Sequence, residues 1–231
     1  MPEILHAELI TEAKSLLRST KSAALGTLRA GAPFTTLTTY ATDYDGTPVL
    51  LLSTLAAHTQ NLANDPRCSL LVARTGKGDP LTHPRLTISG LARPDNSGHL
   101  RARFLARNPK AKLYAGFADF SFYRLEVSDF HLNGGFARAA DFAPAEILTP
   151  VKNVSYFAAG ESAALHMLNH NLSDTLRQTV ARLTQSHDQT CRALSLDPGG
   201  IDIVCGEATL RLPVKIESLD QDELEVALKA L

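Results

Sequence analysis

The sequence predicts an α+β protein: an antiparallel sandwich or barrel with flanking helices over residues 1–148, then a small helix-rich α+β module over residues 149–231. Three observations predict it. Short runs rich in β-branched and aromatic residues recur at regular intervals, each closed by Gly, Pro, Asn or Asp. Few helical stretches interrupt them, a pattern that suits closed or layered antiparallel sheets. Beyond Pro144 and Pro150 the texture changes to a leucine stripe at helical spacing.

Element by element, Leu5, Leu9, Ala13, Leu16 and Leu17 recur at helical spacing and give an opening amphipathic helix that ends near Ser19-Thr20. Ser22 to Arg29 reads as a strand closed by the turn residues Ala30-Gly31-Ala32-Pro33. Phe34 to Thr42 is the next, Asp45-Gly46 turns the chain, and Val49 to Ser53 returns as a mostly buried strand. Ser53 or Thr54 is expected to cap a short helix through Leu62 and Ala63, which stops before Asp65-Pro66. Cys68 to Ala73 and Arg85 to Ala92 are strands on either side of a Gly- and Pro-containing loop. The helical stretch from about Ser97 to Gly116 is divided by Asn108-Pro109. Asp119 to Val127 and the following DFHLNGGFA complete six or seven strands. After a Pro- and Ala-containing linker, one long helix is expected from Gly160 to about Ser186, with Leu165, Leu168, Leu172, Leu176, Val180 and Leu183 on one stripe. A hairpin (201–204 and 209–216) and a terminal helix from about Asp220 follow.

Composition narrows the function classes. With 44% hydrophobic and 20% charged residues the chain buries a real core. The 23 Lys+Arg against 24 Asp+Glu supply no broad basic field for nucleic acid or acidic lipid, so neither is expected as a partner. Any anion site is local. Cys68, Cys191 and Cys205 are odd in number and far apart, which argues against a disulfide framework or a structural zinc site and for a reducing compartment. The N-terminal segment lacks the uninterrupted apolar run of a signal or membrane segment, and the expected location is the cytoplasm.

Four stretches carry a family resemblance. STLAAHTQNLANDPRCSLLV (53–72) resembles the cofactor-phosphate segment of the pyridoxamine-5'-phosphate-oxidase-like, FMN-binding split-barrel family, and RLTISGLARP (85–94) resembles the barrel strand that follows it. FHLNGGFARAADF (130–142) is similar to the Gly-Gly-Phe-x-x-Ala ending of the haem-utilisation subgroup, and ALSLDPGGIDI (193–203) to a small C-terminal domain of unknown function often fused to it. The resemblance implies a split barrel, a homodimer, and an FMN or haem site at the subunit interface. It does not choose between those two cofactors. It departs at His58-Thr59, where flavin-binding members carry a basic pair, and at Leu172, where a histidine is common.

The residues that carry chemistry follow from these placements. A helix start at Ser53 to Thr59 offers free backbone N–H groups, the hydroxyls of Ser53, Thr54 and Thr59, and the titratable His58, a set able to hold a phosphate or a propionate. An ordinary cap with a surface histidine is the plainer reading of the same residues. Thr36, Thr38 and Tyr40 share one strand face and line a cleft or simply favour the strand. Arg85 and Arg124 sit on strands, where a guanidinium needs a ligand acid or an internal partner. His131 precedes the Gly134-Gly135 pair, and His166 and His170 lie one helical turn apart; two imidazoles specify no metal. No catalytic residue stands out. The functional expectation is a redox or haem-degrading protein binding FMN or haem. The alternatives are a non-catalytic haem or tetrapyrrole carrier, and an interaction protein with a degenerate cofactor site.

Overall fold

The β-branched run of residues 32–42 and its neighbours fold as the computed structural model shows, which describes residues 3–74, 76–135, 138–151, 154–185, 190–206 and 208–231. The described chain divides into two units, Met1–Leu148 and Thr149–Leu231.

In the first unit α1 (Glu3–Ser19) is followed by β1 (Ser22–Arg29), β2 (Ala32–Thr42), β3 (Pro48–Ser53), α2 (Ala57–Asn64), β4 (Arg67–Ala73), β5 (Arg85–Pro94), α3 (Gly98–Arg107), β6 (Phe120–Asn133), β7 (Ala139–Phe142) and the single turn α4 (Pro144–Ile147). The sheet order is β3-β2-β1-β4-β5-β6-β7, and a further β3–β6 pairing closes six strands into an antiparallel barrel with β7 as an extra strand. Closure removes the open edges that a flat sheet would expose. Ala30 and Gly31, both at positive φ (50° and 83°), turn β1 into β2. The stretch read from sequence as two strands is one, because β6 runs fourteen residues and pairs with β3 in its first part and β7 in its last.

Period-2 alternation sends Leu25, Leu70, Ile88 and Phe130 into the barrel, where they join Leu9, Ala13, Leu16 and Leu17 of α1 in one buried cluster. Each of the leucine, isoleucine and phenylalanine side chains contributes roughly 1.5–3 kcal/mol by leaving water. β3 is buried on both faces: Leu50 and Leu52 face that cluster, whereas Val49 and Leu51 pack with Phe104 of α3 and Phe122. Pro109 ends α3 and opens a 3-10 turn over Pro109–Leu113, the division expected at Asn108-Pro109.

The second unit contains α5 (Val154–Asn169), α6 (Ser173–Thr184), β8 (Arg192–Asp197), β9 (Gly200–Cys205), β10 (Ala208–Leu212) and α7 (Gln221–Lys229), with sheet order β10-β9-β8. The single helix expected from Gly160 is two. The Asn169 side chain exchanges two hydrogen bonds with the backbone of Ala193, at 3.0 and 2.7 Å, and the chain turns there. Leu168, Leu172 and Leu176 stay buried through the break, so the stripe continues in phase and hides it; Leu183 is exposed. The expected two-strand hairpin is a three-strand meander.

The cysteine reading is also corrected, since Cys191 and Cys205 form a disulfide. β8 and β9 pair Arg192 with Val204, so the next residues outward, Cys191 and Cys205, stand directly opposite each other. Spacing in the chain carries no trace of that register, and the argument for a reducing compartment loses its support. Among the described residues, no helix is long and apolar enough to cross a membrane.

Candidate functional site

α2 begins at Ala57, with Ala56 as its cap residue and no side-chain cap, because β3 extends through Ser53 and residues 54–56 are spent on the turn. The expected Ser53 or Thr54 cap is therefore corrected. Ser53 Oγ instead donates to Asp119 Oδ2 at 2.5 Å and accepts from the Leu55 N–H at 3.1 Å, while the Thr54 N–H donates to the Asp119 carbonyl at 2.8 Å. Thr36 and His58 are brought together, with Thr36 Oγ1 3.0 Å from His58 Nδ1. Thr38 donates to the Thr39 carbonyl, and the buried Tyr40 donates to the Leu17 carbonyl, so that face does not continue as a polar cleft. Thr59 is 3% exposed, and its hydroxyl has no hydrogen-bond partner among the described residues.

The electrostatics of this end differ from those of a phosphate seat. Burial pushes the His58 imidazole below its ordinary pKa, which favours the neutral ring. Ser53, Thr54, His58 and Thr59 supply no permanent cation, and Asp119 places a carboxylate on the Ser53 hydroxyl. These four residues therefore offer a dianionic phosphate no charge-assisted contact from a fixed cation.

The two arginines singled out from sequence lie elsewhere. Arg124 bonds Asp43 at 3.1 Å and Asp45 at 2.7 Å, with Thr47 Oγ1 at 3.2 Å, and so ties β6 to the β2–β3 turn. Arg85 donates to the carbonyls of Leu81 and His83 at 3.2 and 3.4 Å. On the β5–β6 ladder Arg85 is level with Asn133 and Arg124 with Arg93. Eight residues of strand separate those levels, roughly 26 Å, so the two cations cannot grip one small acid.

Two features escaped the sequence reading. Asp119 has no motif around it and is found only through the β3–β6 pairing. His131 was singled out without its partner: β7 puts Asp141 opposite it, with Nδ1 2.7 Å from Asp141 Oδ1. In the second unit His166 and His170 have ring centroids 4.3 Å apart. No group of three or more metal-ligating side chains occurs among the described residues. A groove of about 710 Å³ along α1 is bordered by Glu8, Glu12, Arg74 and Arg138 and contains none of the expected site residues.

The family model of pyridoxamine 5'-phosphate oxidase matches residues 9–134, which is the barrel from within α1 to the end of β6. This chain belongs to that family. It is 32% identical over 191 residues to the non-canonical heme oxygenase HOZ, chloroplastic, of Arabidopsis thaliana, in an alignment covering 78% of this chain and 56% of that protein. The chain thus spans about half the length of that curated relative. Among solved structures it is similar to protein Atu2129 of Agrobacterium tumefaciens str. C58, of unknown function, at 32% identity and TM-score 0.81, covering 97% of this chain and 95% of that one. It is also similar to the heme binding protein from Mycobacterium smegmatis, at 26% identity and TM-score 0.57, covering 96% and 95%.

Proposed function

We propose that this member of the pyridoxamine 5'-phosphate oxidase family binds haem rather than FMN, as a homodimer with the ligand in the cleft between subunits, and acts in haem utilisation. The observation that carries the reading is the α2 end of the barrel, where hydroxyls, a neutral-leaning imidazole and the Asp119 carboxylate stand in place of fixed cations. Two relatives, one named a heme oxygenase and one a heme binding protein, support it. Haem suits the chain's chemistry better than flavin phosphate does, because its binding draws on a large apolar face and an imidazole. Bound haem would supply the iron centre for dioxygen chemistry. The protein's part is to ligate, to orient and to exclude water.

The dimer reading is supported by the outer barrel face. Ala24 of β1 is level with Leu37 of β2 on one side and Leu71 of β4 on the other, and these leucines are 78% and 41% exposed. A second copy covering that face would bury them. Light scattering at micromolar concentration is expected to give twice the chain mass.

The test of ligand choice is a pair of titrations with ferric haem and with FMN, on the natural chain and on His58→Arg. Each charge-assisted contact is worth roughly 1.5–3 kcal/mol, so one added cation should tighten FMN binding by about one to two decades. Haem affinity is expected to exceed FMN affinity in the natural chain and to stay nearly level in the variant. Submicromolar FMN binding with no haem spectrum would overturn the proposal. With a reductant and dioxygen, loss of the haem spectrum identifies degradation, whereas its persistence identifies a carrier.

A further inference from the structure

We infer that His131 is the residue through which this chain ligates the iron of a bound haem, and that Asp141 is its positioning residue; the inference rests on the haem reading above. On β6 the neighbours Phe130 and Leu132 are fully buried, so His131 points to the outer face, where its side chain is 48% exposed. The ladders place it level with Thr87 of β5 and with Asp141 of β7. A carboxylate only accepts, so the 2.7 Å contact from Nδ1 to Asp141 Oδ1 fixes the ring proton on Nδ1. In the neutral ring the lone pair is then left on Nε2. A histidine held at one nitrogen by a carboxylate and open at the other is the arrangement that orients metal-ligating imidazoles and raises their basicity.

The other histidines of the described barrel are arranged differently. His6 and His99 present Nε2 to the carboxylates of Glu146 and Asp43, and His83 presents it to the Lys77 carbonyl. His58 has Nδ1 engaged, but by the Thr36 hydroxyl, which adds no charge to the ring. Among the described residues of this unit, only His131 combines a carboxylate on Nδ1 with an Nε2 that has no hydrogen-bond partner. Arg85 adds a second matching group. It stands two residues from Thr87 on β5 and is level with Asn133, so it lies diagonally across the outer face from His131, with backbones roughly 7–8 Å apart. Through one nitrogen it reaches two carbonyls, and a guanidinium carries five N–H donors. An iron ligand and a cation able to meet a propionate thereby stand on neighbouring strands of one face.

The experiment titrates ferric haem into the natural chain, His131→Ala, His131→Gln and Asp141→Asn, with His166→Ala in the second unit as control. Absorption, electron paramagnetic resonance and the ferrous iron–histidine resonance Raman mode are recorded, and circular dichroism checks each fold. The natural chain and the control should show the iron–histidine mode. Both His131 variants should lose it, and imidazole added to His131→Ala should restore a nitrogen-ligated spectrum. Asp141→Asn should keep the mode, shift it to lower frequency and weaken haem binding by about tenfold. A saturable haem spectrum with the mode unchanged in His131→Ala overturns the assignment while leaving the haem reading intact. Absence of any saturable haem spectrum in the natural chain defeats the haem reading and the assignment together.

Discussion

Replacing Arg211 with Met should destabilise the second unit more than any surface change. Arg211 sits between Asp197 at 2.7 Å and Asp202 at 3.0 Å, with side chains 6%, 0% and 2% exposed. Burial pulls the guanidinium pKa down, but the two carboxylates outweigh it and hold the pKa above its ordinary value, so the cation is fixed at every accessible pH. Asp202 also accepts from Ser195 Oγ at 2.8 Å, and Asp197 from the Gly199 N–H at 2.8 Å. These contacts remain in the variant, but the cation between two buried carboxylates is gone. Removing one partner of a buried ion pair costs about 3–5 kcal/mol, a large part of the roughly 5–15 kcal/mol that holds a domain together. Urea unfolding followed by far-ultraviolet circular dichroism should show a transition at much lower denaturant with little change in slope. The triple variant Arg211→Met, Asp197→Asn, Asp202→Asn removes all three charges and should recover part of the loss. A cost below about 1 kcal/mol in the single variant, or a triple variant no more stable than the single one, would refute the reasoning.

Three further outcomes are expected. Opening the Cys191–Cys205 bond, by Cys191→Ser with Cys205→Ser, should cost the second unit about 3 kcal/mol by the chain-entropy estimate for a loop of this length, read as a melting shift that reductant reproduces in the natural chain. Burial pushes the Cys68 thiol up to about 11, so the neutral thiol persists up to about that pH and should not react with a disulfide reagent at pH 8 until the barrel is unfolded. Truncation after Leu148 should leave a cooperatively melting strand spectrum, because the first unit closes its own barrel; aggregation of the fragment would show that the second unit is required.

Much of the barrel was legible because its signals are local. Period-2 burial in residues 22–29 and 67–73, the turn at Asp45-Gly46 and the Pro109 interruption each act over a few residues. What escaped depended on pairing between distant segments. The disulfide follows from the β8–β9 register, the Asp119 contact to Ser53 from β3–β6 closure, and the His131–Asp141 pair from β6–β7. The break between α5 and α6 was hidden because Leu168, Leu172 and Leu176 are buried on both sides of it. Of the expected cofactor residues, the structure unites Thr36 with His58 and separates Arg85 from Arg124 by the length of β5. Strand membership alone could not reveal which end each arginine occupies.

The absorption spectrum of the freshly purified protein, followed by haem titration of the same sample, tests haem binding most directly. No bound flavin is expected, and a haem Soret band should develop, saturate at a fixed haem-to-chain ratio and co-elute with a dimer. A stoichiometric flavin spectrum in the purified protein, with no Soret band developing on addition of haem, would contradict it.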